Sequence, residues 1–320
     1  MSEKEISRHT GSIVELHNLT EVLDDSLSLL NSIGIQDVTS GTKESIYPGL
    51  FDQCLDLCKQ TKKINAEPIR SIHHLSCTGG TLITKCLAAM PNVTVLNEVD
   101  PLSTLSFSPT EPKFTPTDLV SLVRQGQFEL NENILVKIFI DNLDSISAET
   151  TSIGKKLLLR DHCHSHFLTG SFIKKRQTLL SILNSNYKTL SIVSVRHPID
   201  SYLSLEVNGW LHFYPNTFDE YCSRYLTFLE KHEGIPVIKY EDFVNNPLNV
   251  VKKICEELSL AYNDAFVDIF DIFKFSGDSG RIGNVIAPRT RRKIDENFVR
   301  KLNESESYSM LVKKLEYDRL

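Results

Sequence analysis

The chain has 320 residues, of which 41% are hydrophobic and 24% charged, enough to bury one large core or two modest ones. The net charge of −6 argues against general affinity for nucleic acid or anionic membranes, which requires a surplus of Lys and Arg on one face. We expect a cytoplasmic protein without a membrane span, because the start lacks a secretory signal pattern and no stretch of about 18 apolar residues occurs. The seven cysteines are scattered and lack zinc-site spacing, so we expect reduced thiols.

Residues 1–66 are predicted to form a helical extension, since apolar residues recur there at helical spacing. Pro68 ends this segment, and residues 69–75 then form a partly apolar run that predicts a short buried strand. From 67 to 320, patterns typical of strands and helices alternate along the chain. This alternation predicts an α/β domain with an open parallel sheet and helices on both faces.

The predicted elements follow one another as strand–helix units. Helices are predicted at 81–90, 114–125, 131–148, 178–183, 198–205, 218–231 and 247–258, and further strands at 94–96, 156–160, 189–195 and 236–240. A Gly- and Arg-rich segment at 275–292 and one terminal helix complete the chain. No internal repeat interrupts this order.

A glycine-containing turn, Cys77-Thr78-Gly79-Gly80-Thr81, joins the first predicted strand to the helix after it. Such a turn directs backbone N–H groups and the positive end of the helix dipole at one point, which favours an anion there. The glycines allow close backbone approach, and the two threonine hydroxyls are expected to donate to phosphate oxygens. The same letters also describe an ordinary strand-to-helix turn. Lys85 follows too late to act as the lysine of a nucleoside triphosphatase loop, and its position fits a solvated surface residue.

A second candidate anion site lies at the end of the strand predicted at 189–195. Arg196 follows this strand, at the edge where open parallel sheets bind ligands. Ser204 lies eight residues later, two turns along the helix that begins at Pro198. A guanidinium and a hydroxyl in this arrangement can hold a second phosphate at some distance from the first.

These motifs, in this order, resemble those of the sulfotransferase family, which has a P-loop type of nucleotide-binding fold and uses 3′-phosphoadenosine 5′-phosphosulfate (PAPS). The turn with Leu82 is similar to the family's first motif, and Arg196, Pro198 and Ser204 match the second, whose Arg and Ser contact the 3′-phosphate. The later segment resembles the loop that closes over this phosphate. Its residues named here are Ser276, Gly277 and Arg281.

The resemblance implies transfer of a sulfuryl group from PAPS to a hydroxyl or amine of a small-molecule or carbohydrate acceptor, leaving 3′,5′-adenosine bisphosphate (PAP) and needing no metal. One position departs from the family pattern, because Cys77 stands where many members carry a Lys or Arg that contacts the transferring group. A catalytically weak or inactive nucleotide-binding module therefore stays an alternative, and a phosphotransferase with a degenerate loop a more distant one. Arg160 is a better candidate than Lys85 to supply the missing cation.

Two residues are candidates for the base that takes the acceptor proton. His162 follows the strand at 156–160 and matches the family's basic residue, spacer and His pattern, with Arg160 as the donor to the cofactor. His164 and His166 continue an alternating series, so a polar loop and a metal cluster stay open as other interpretations of this segment. Glu98 ends the strand before it and is similar to the Glu of members that act on carbohydrate or protein tyrosine. The acceptor pocket is expected at 102–107, 131–148 and 209–214, although the aromatic residues of the last segment also fit a core.

Overall fold

The computed structural model describes residues 67–105, 107–108, 110–111, 113–126, 130–277 and 285–320. The helical extension predicted at 1–66 lies outside the described residues, and so does Arg281. Among the described residues, none of the helices is at once long enough and apolar enough to cross a bilayer.

Five parallel strands form the central sheet, as the alternating sequence pattern predicts. Their order across the sheet is β2-β3-β1-β5-β7. The strands are β1 (Ile69–His74), β2 (Val93–Val99), β3 (Lys156–Asp161), β5 (Thr189–Val195) and β7 (Val237–Lys239). A separate parallel pair consists of β4 (Thr169–Gly170) and β6 (His212–Phe213). Because all five strands run in one direction, their carboxyl ends meet at one edge, where such sheets bind ligands.

Helices connect the strands in the predicted order. They are α1 (Gly80–Ala88), α2 (Leu119–Gln125), α3 (Glu132–Ser152), α4 (His164–Phe167), α5 (Leu179–Asn186), α6 (Pro198–Val207), α7 (Phe218–Lys231), α8 (Tyr240–Asn245), α9 (Pro247–Glu257), α10 (Phe266–Ile269), α11 (Glu296–Glu304) and α12 (Glu306–Leu315), with a 3₁₀ turn at Phe270–Ile272. Two differ from expectation. Helix α2 starts five residues late because Asp118 caps it, and the single terminal helix is two helices, because Ser305 caps the second by accepting from the Tyr308 N–H.

The helices cover both faces of the sheet, as predicted. On one face, Ile72 of β1 and Ile192 of β5 pack in one buried cluster with α1 and α9. On the other, Val193 of β5 packs with α6, α7 and α12, and Leu159 of β3 packs with α3 and α5. Successive residues of one strand thus enter different cores, because side chains alternate across a sheet. Strands buried on both sides are typical of parallel sheets.

Candidate functional site

A cavity of about 440 Å³ opens at the carboxyl edge of the sheet, a size typical of small-molecule sites. It brings together predicted residues from five separate segments of the chain. Those that line it are Cys77, Gly79, Gly80, Thr81, Leu82, Glu98, Arg160, His162, Arg196, Ser204 and Gly277. We call the part formed by residues 77–82, Arg196 and Ser204 the turn end, and the part formed by Glu98, Arg160 and His162 the ion-pair end.

Both glycines of the turn are required by the residues that pack on them. Gly79 has a φ of +92°, and a Cβ placed on it would overlap the ring of Tyr240. A Cβ on Gly80 would overlap the ring of His74. Gly79 is also the N-cap of α1 and provides no side-chain cap, so the first amides of this helix are left to face the cavity. The turn end therefore offers an uncapped helix N-terminus to an anion.

The two threonines of the turn have different roles, and the prediction for one of them is wrong. Thr78 is fully buried and is not part of the cavity wall, because its hydroxyl donates to the Leu75 carbonyl at 2.7 Å. It fixes the turn and is not free to donate to a phosphate. Thr81 lines the cavity, where its Oγ1 donates to the Gly277 carbonyl and accepts from the Arg160 Nη2. Lys85 is buried on α1, which corrects the expectation of a solvated residue.

Cys77 leaves the turn without a positive charge. Burial raises the pKa of its thiol to about 12, although Arg196 and a hydrogen bond with Asn208 act in the opposite direction. The thiol is therefore neutral near pH 7. Its backbone φ of +66° is uncommon for a residue with a side chain.

Arg196 lies between the turn and Ser204, as the spacing predicts. Its Nη1 donates to the Cys77 carbonyl at 3.1 Å and lies 3.5 Å from the Ser204 Oγ. Its guanidinium also stacks over the Tyr240 ring, with the central carbon 4.9 Å from the ring centroid. The two candidate anion sites thus meet in one cavity, held by the same cation.

Arg160 is the centre of the ion-pair end. The residue is buried, and its Nη1 lies 2.7 Å from the Glu98 Oε1. Its Nη2 donates to the Thr81 Oγ1 at 2.7 Å, and its Nε donates to the His74 Nε2 at 2.9 Å. Burial, together with Arg160, lowers the pKa of His74 to about 3, so this imidazole is neutral and accepts that hydrogen bond. Arg160 thereby joins the ends of β1, β2 and β3.

Glu98 and His162 are neighbours, so the two candidate bases occupy one place. The Glu98 Oε2 lies 3.5 Å from the His162 Nε2. Glu98 has a φ of +57° and lies where the pairing of β2 with β3 shifts register, between Leu96 and Val99. Such a backbone is held only when its surroundings over-determine it.

The segment after the 3₁₀ turn closes this end of the cavity. Its Ser276 carbonyl accepts from the Arg160 Nη1 at 3.0 Å, and its Ser276 Oγ accepts from the Asn97 Nδ2 at 2.9 Å. A Cβ on Gly277 would lie 2.5 Å from the Glu98 Oε1, so a glycine is needed there. Ser276 therefore supports the ion-pair end from behind and is not itself part of the cavity wall.

The alternating histidines do not share a face, so they form no metal cluster with one another. His162 lines the cavity, His164 contacts His212 with 3.0 Å between Nε2 and Nδ1, and the His166 ring lies 2.9 Å from the Lys174 carbonyl. The reason is that the strand ends at Asp161 and helix α4 starts at His164, which replaces the period of two.

The acceptor side of the cavity matches two of the three segments expected there. Leu105, Trp210 and His212 line it, whereas α3 contributes none of the lining residues. Sequence reasoning missed His74, Asn208 and Tyr240. Their one signal was position, since His74 ends β1 and Tyr240 follows β7. Of the later arginines, the cavity wall includes Arg289 and Arg292, whereas Arg291 makes an ion pair with Asp200.

No family model and no curated protein matches the chain. Two solved structures are similar to it. The sulfotransferase domain of the Synechococcus PCC 7002 olefin synthase is 17% identical, with a TM-score of 0.47, over 79% of this chain and 96% of that domain. Mouse sulfotransferase SULT7A1, in complex with PAP, is 14% identical, with a TM-score of 0.36, over 80% of this chain and 86% of that one. Both are sulfotransferases, the family that the motifs of this chain resemble.

Proposed function

We propose that this chain is a sulfotransferase that moves a sulfuryl group from PAPS to the hydroxyl of a small-molecule or carbohydrate acceptor. The observation that carries the proposal is the position of Arg196, whose Nη1 contacts the turn at the Cys77 carbonyl and lies 3.5 Å from the Ser204 Oγ. Two anion sites joined by one Arg suit a nucleotide with phosphates at two separate positions. A triphosphate loop would instead need Gly-Lys-Ser/Thr, which this turn lacks.

The residues of the turn end fit such a nucleotide. The amides at the start of α1, together with Thr81, suit the end of the nucleotide that carries the transferable group. Arg196 and Ser204 suit the second phosphate, and the nearby Arg289 and Arg292 add positive charge to the same wall. When bound, PAPS supplies an activated sulfuryl group, and the chain supplies position and charge.

Within the ion-pair end, His162 takes the proton from the acceptor hydroxyl. Glu98 is a poorer base because it is ion-paired with Arg160, and protonation would break that pair. A neutral imidazole accepts a proton readily near neutral pH, and the adjacent carboxylate stabilises the imidazolium that results. Arg160 holds Glu98 and Thr81 in place, since its described hydrogen bonds all go to protein groups.

Calorimetric titration with PAP tests the nucleotide part of this proposal. The wild-type chain is expected to bind PAP at micromolar concentrations, and Arg196→Gln to bind it about 10- to 100-fold more weakly. Arg300→Gln is the matched control, because Arg300 is exposed on α11 and contacts only Asn297 within its own helix. A wild-type chain that binds no PAP at these concentrations contradicts the proposal.

Incubation with PAPS and a pool of metabolites, followed by mass spectrometry, tests the transfer itself. A product heavier by one sulfuryl group is the expected result, and its identity gives the acceptor. Binding of PAP without any product favours the second candidate, an inactive nucleotide-binding module, which the neutral thiol of Cys77 supports. Turnover that appears only in Cys77→Lys would establish that the missing cation is the reason.

A further inference from the structure

Four metal-ligating side chains converge in the core, on the face of the sheet that packs against α7. They are His73 of β1, Asp161 at the end of β3, Cys163 just after it, and His232 at the C-cap of α7. All four are buried, and one ligand atom from each lies within 4.8 Å of the others. The sequence gave no sign of this group, because its members come from three distant segments.

His232 points an unsatisfied nitrogen into this cluster. Its Nδ1 lies 2.8 Å from the Phe228 carbonyl, which can only accept, so the Nδ1 carries the proton and the Nε2 carries a lone pair. That Nε2 is buried and has no hydrogen-bond partner among the described residues, on a side chain that is 3% exposed. Buried polar atoms are nearly always satisfied, so an exception calls for an explanation such as an ion.

Both imidazoles also have the outer partners that metal-bound histidines require. The His73 Nε2 lies 2.8 Å from the Ser71 Oγ, which lies 2.8 Å from the Ser191 Oγ. With a metal on the His73 Nδ1, the proton moves to Nε2 and donates to Ser71. For His232, the Phe228 carbonyl plays the same part. Metal-ligating histidines almost always donate their second N–H in this way, which fixes the ring and the tautomer.

We propose that His73, Asp161, Cys163 and His232 bind one zinc ion. Two imidazoles, one thiolate and one carboxylate form a four-coordinate set that suits zinc. The two negative ligands balance the charge of Zn²⁺, so the buried site is neutral. Binding releases one proton, from the Cys163 thiol. Tetrahedral zinc places its ligand atoms about 3.3–3.7 Å apart, so the widest pair must approach by roughly 1 Å.

The ion has a structural role, because four protein ligands leave no open position for a substrate. Its ligands Asp161 and Cys163 flank His162, so the ion fixes the backbone of the residue that we propose as the base. Transfer itself still needs no metal. The zinc site does not depend on the proposed function, since its evidence lies behind the cavity.

Metal analysis of the purified full chain is the first test, after expression in zinc-supplemented medium without chelators. We expect about one zinc per chain in the wild type and less than about a tenth of that in Cys163→Ala and His232→Gln. Cys255→Ala is the matched control, because Cys255 is a buried thiol on α9 at the opposite face of the sheet and should retain the ion. Wild-type protein without zinc, or variants that keep it, would overturn the proposal.

A cobalt titration tests the site without relying on the folding of variants. Wild-type chain stripped by a chelator should take up one Co²⁺ and show the visible bands of tetrahedral cobalt, with a near-ultraviolet thiolate-to-cobalt absorption. Zinc should reverse the fall in thermal stability that the chelator causes. Absence of the thiolate absorption, or stability that is indifferent to both chelator and zinc, would show that the cluster is only a hydrogen-bonded group.

Discussion

The turn end and the ion-pair end of the cavity hold their groups by different means. At the turn end, glycines and helix amides form the surface, and Tyr240 and His74 press directly on the backbone. At the ion-pair end, long side chains from β2 and β3 hold one another through Arg160. The difference implies that backbone changes at the turn end remove nucleotide binding, whereas side-chain changes at the ion-pair end slow transfer and leave binding intact. The four predictions below test this separation.

The largest effect is expected at the ion-pair end. His162→Gln should lower kcat for sulfuryl transfer by about 1000-fold, because general-base catalysis typically contributes 10²–10⁴-fold. Affinity for PAP should stay within about twofold of the wild type, since His162 lies away from Arg196 and Ser204. Steady-state kinetics and calorimetry on the same preparation measure both. A variant that loses both together would contradict the separation of the two ends.

At the turn end, Gly79→Ala should weaken PAP binding by about 100-fold, roughly 2.7 kcal/mol. The new methyl group overlaps the Tyr240 ring, and the φ of +92° is strained for alanine. Gly154→Ala is the matched control, because Gly154 also has a positive φ, +72°, but has open space around its Cβ position. Equal loss of PAP binding in both variants would mean that general destabilisation, rather than the turn, is responsible.

Glu98→Gln distinguishes the two candidate bases. We expect about a tenfold fall in kcat, because the amide keeps the shape of the side chain but no longer stabilises the imidazolium of His162. The acidic limb of the pH–kcat profile should also move to lower pH, since loss of the neighbouring carboxylate makes the imidazole easier to deprotonate. A fall as large as that of His162→Gln, with no limb left, would identify Glu98 as the base.

The smallest effect is expected from Ser204→Ala. This change removes one hydroxyl but leaves Arg196 on the Cys77 carbonyl, so PAP affinity should fall about fivefold, roughly 1 kcal/mol. Neither kcat nor thermal stability should change by more than about twofold or about 1 °C. A larger loss of affinity in Ser204→Ala than in Arg196→Gln would reverse the roles assigned to the pair.

The sequence by itself determined the order of the elements and the turn end. Strand and helix periods are local, so alternating patterns predicted the parallel sheet, and an eight-residue spacing brought Ser204 near Arg196 on the first turns of α6. Glycine at 79 and 80 indicated close approach, although not the rings that approach.

Tertiary structure alone decided the ion-pair end and the core cluster. Whether Thr78 faces a phosphate or a carbonyl, and whether Glu98 and His162 are rivals or neighbours, depends on packing between strands far apart in the chain. The same holds for His73 and His232, whose rings approach to 4.8 Å between centroids. Local periodicity specifies which way a residue faces along its own element, whereas the partner it meets is set by the position of other elements in the fold.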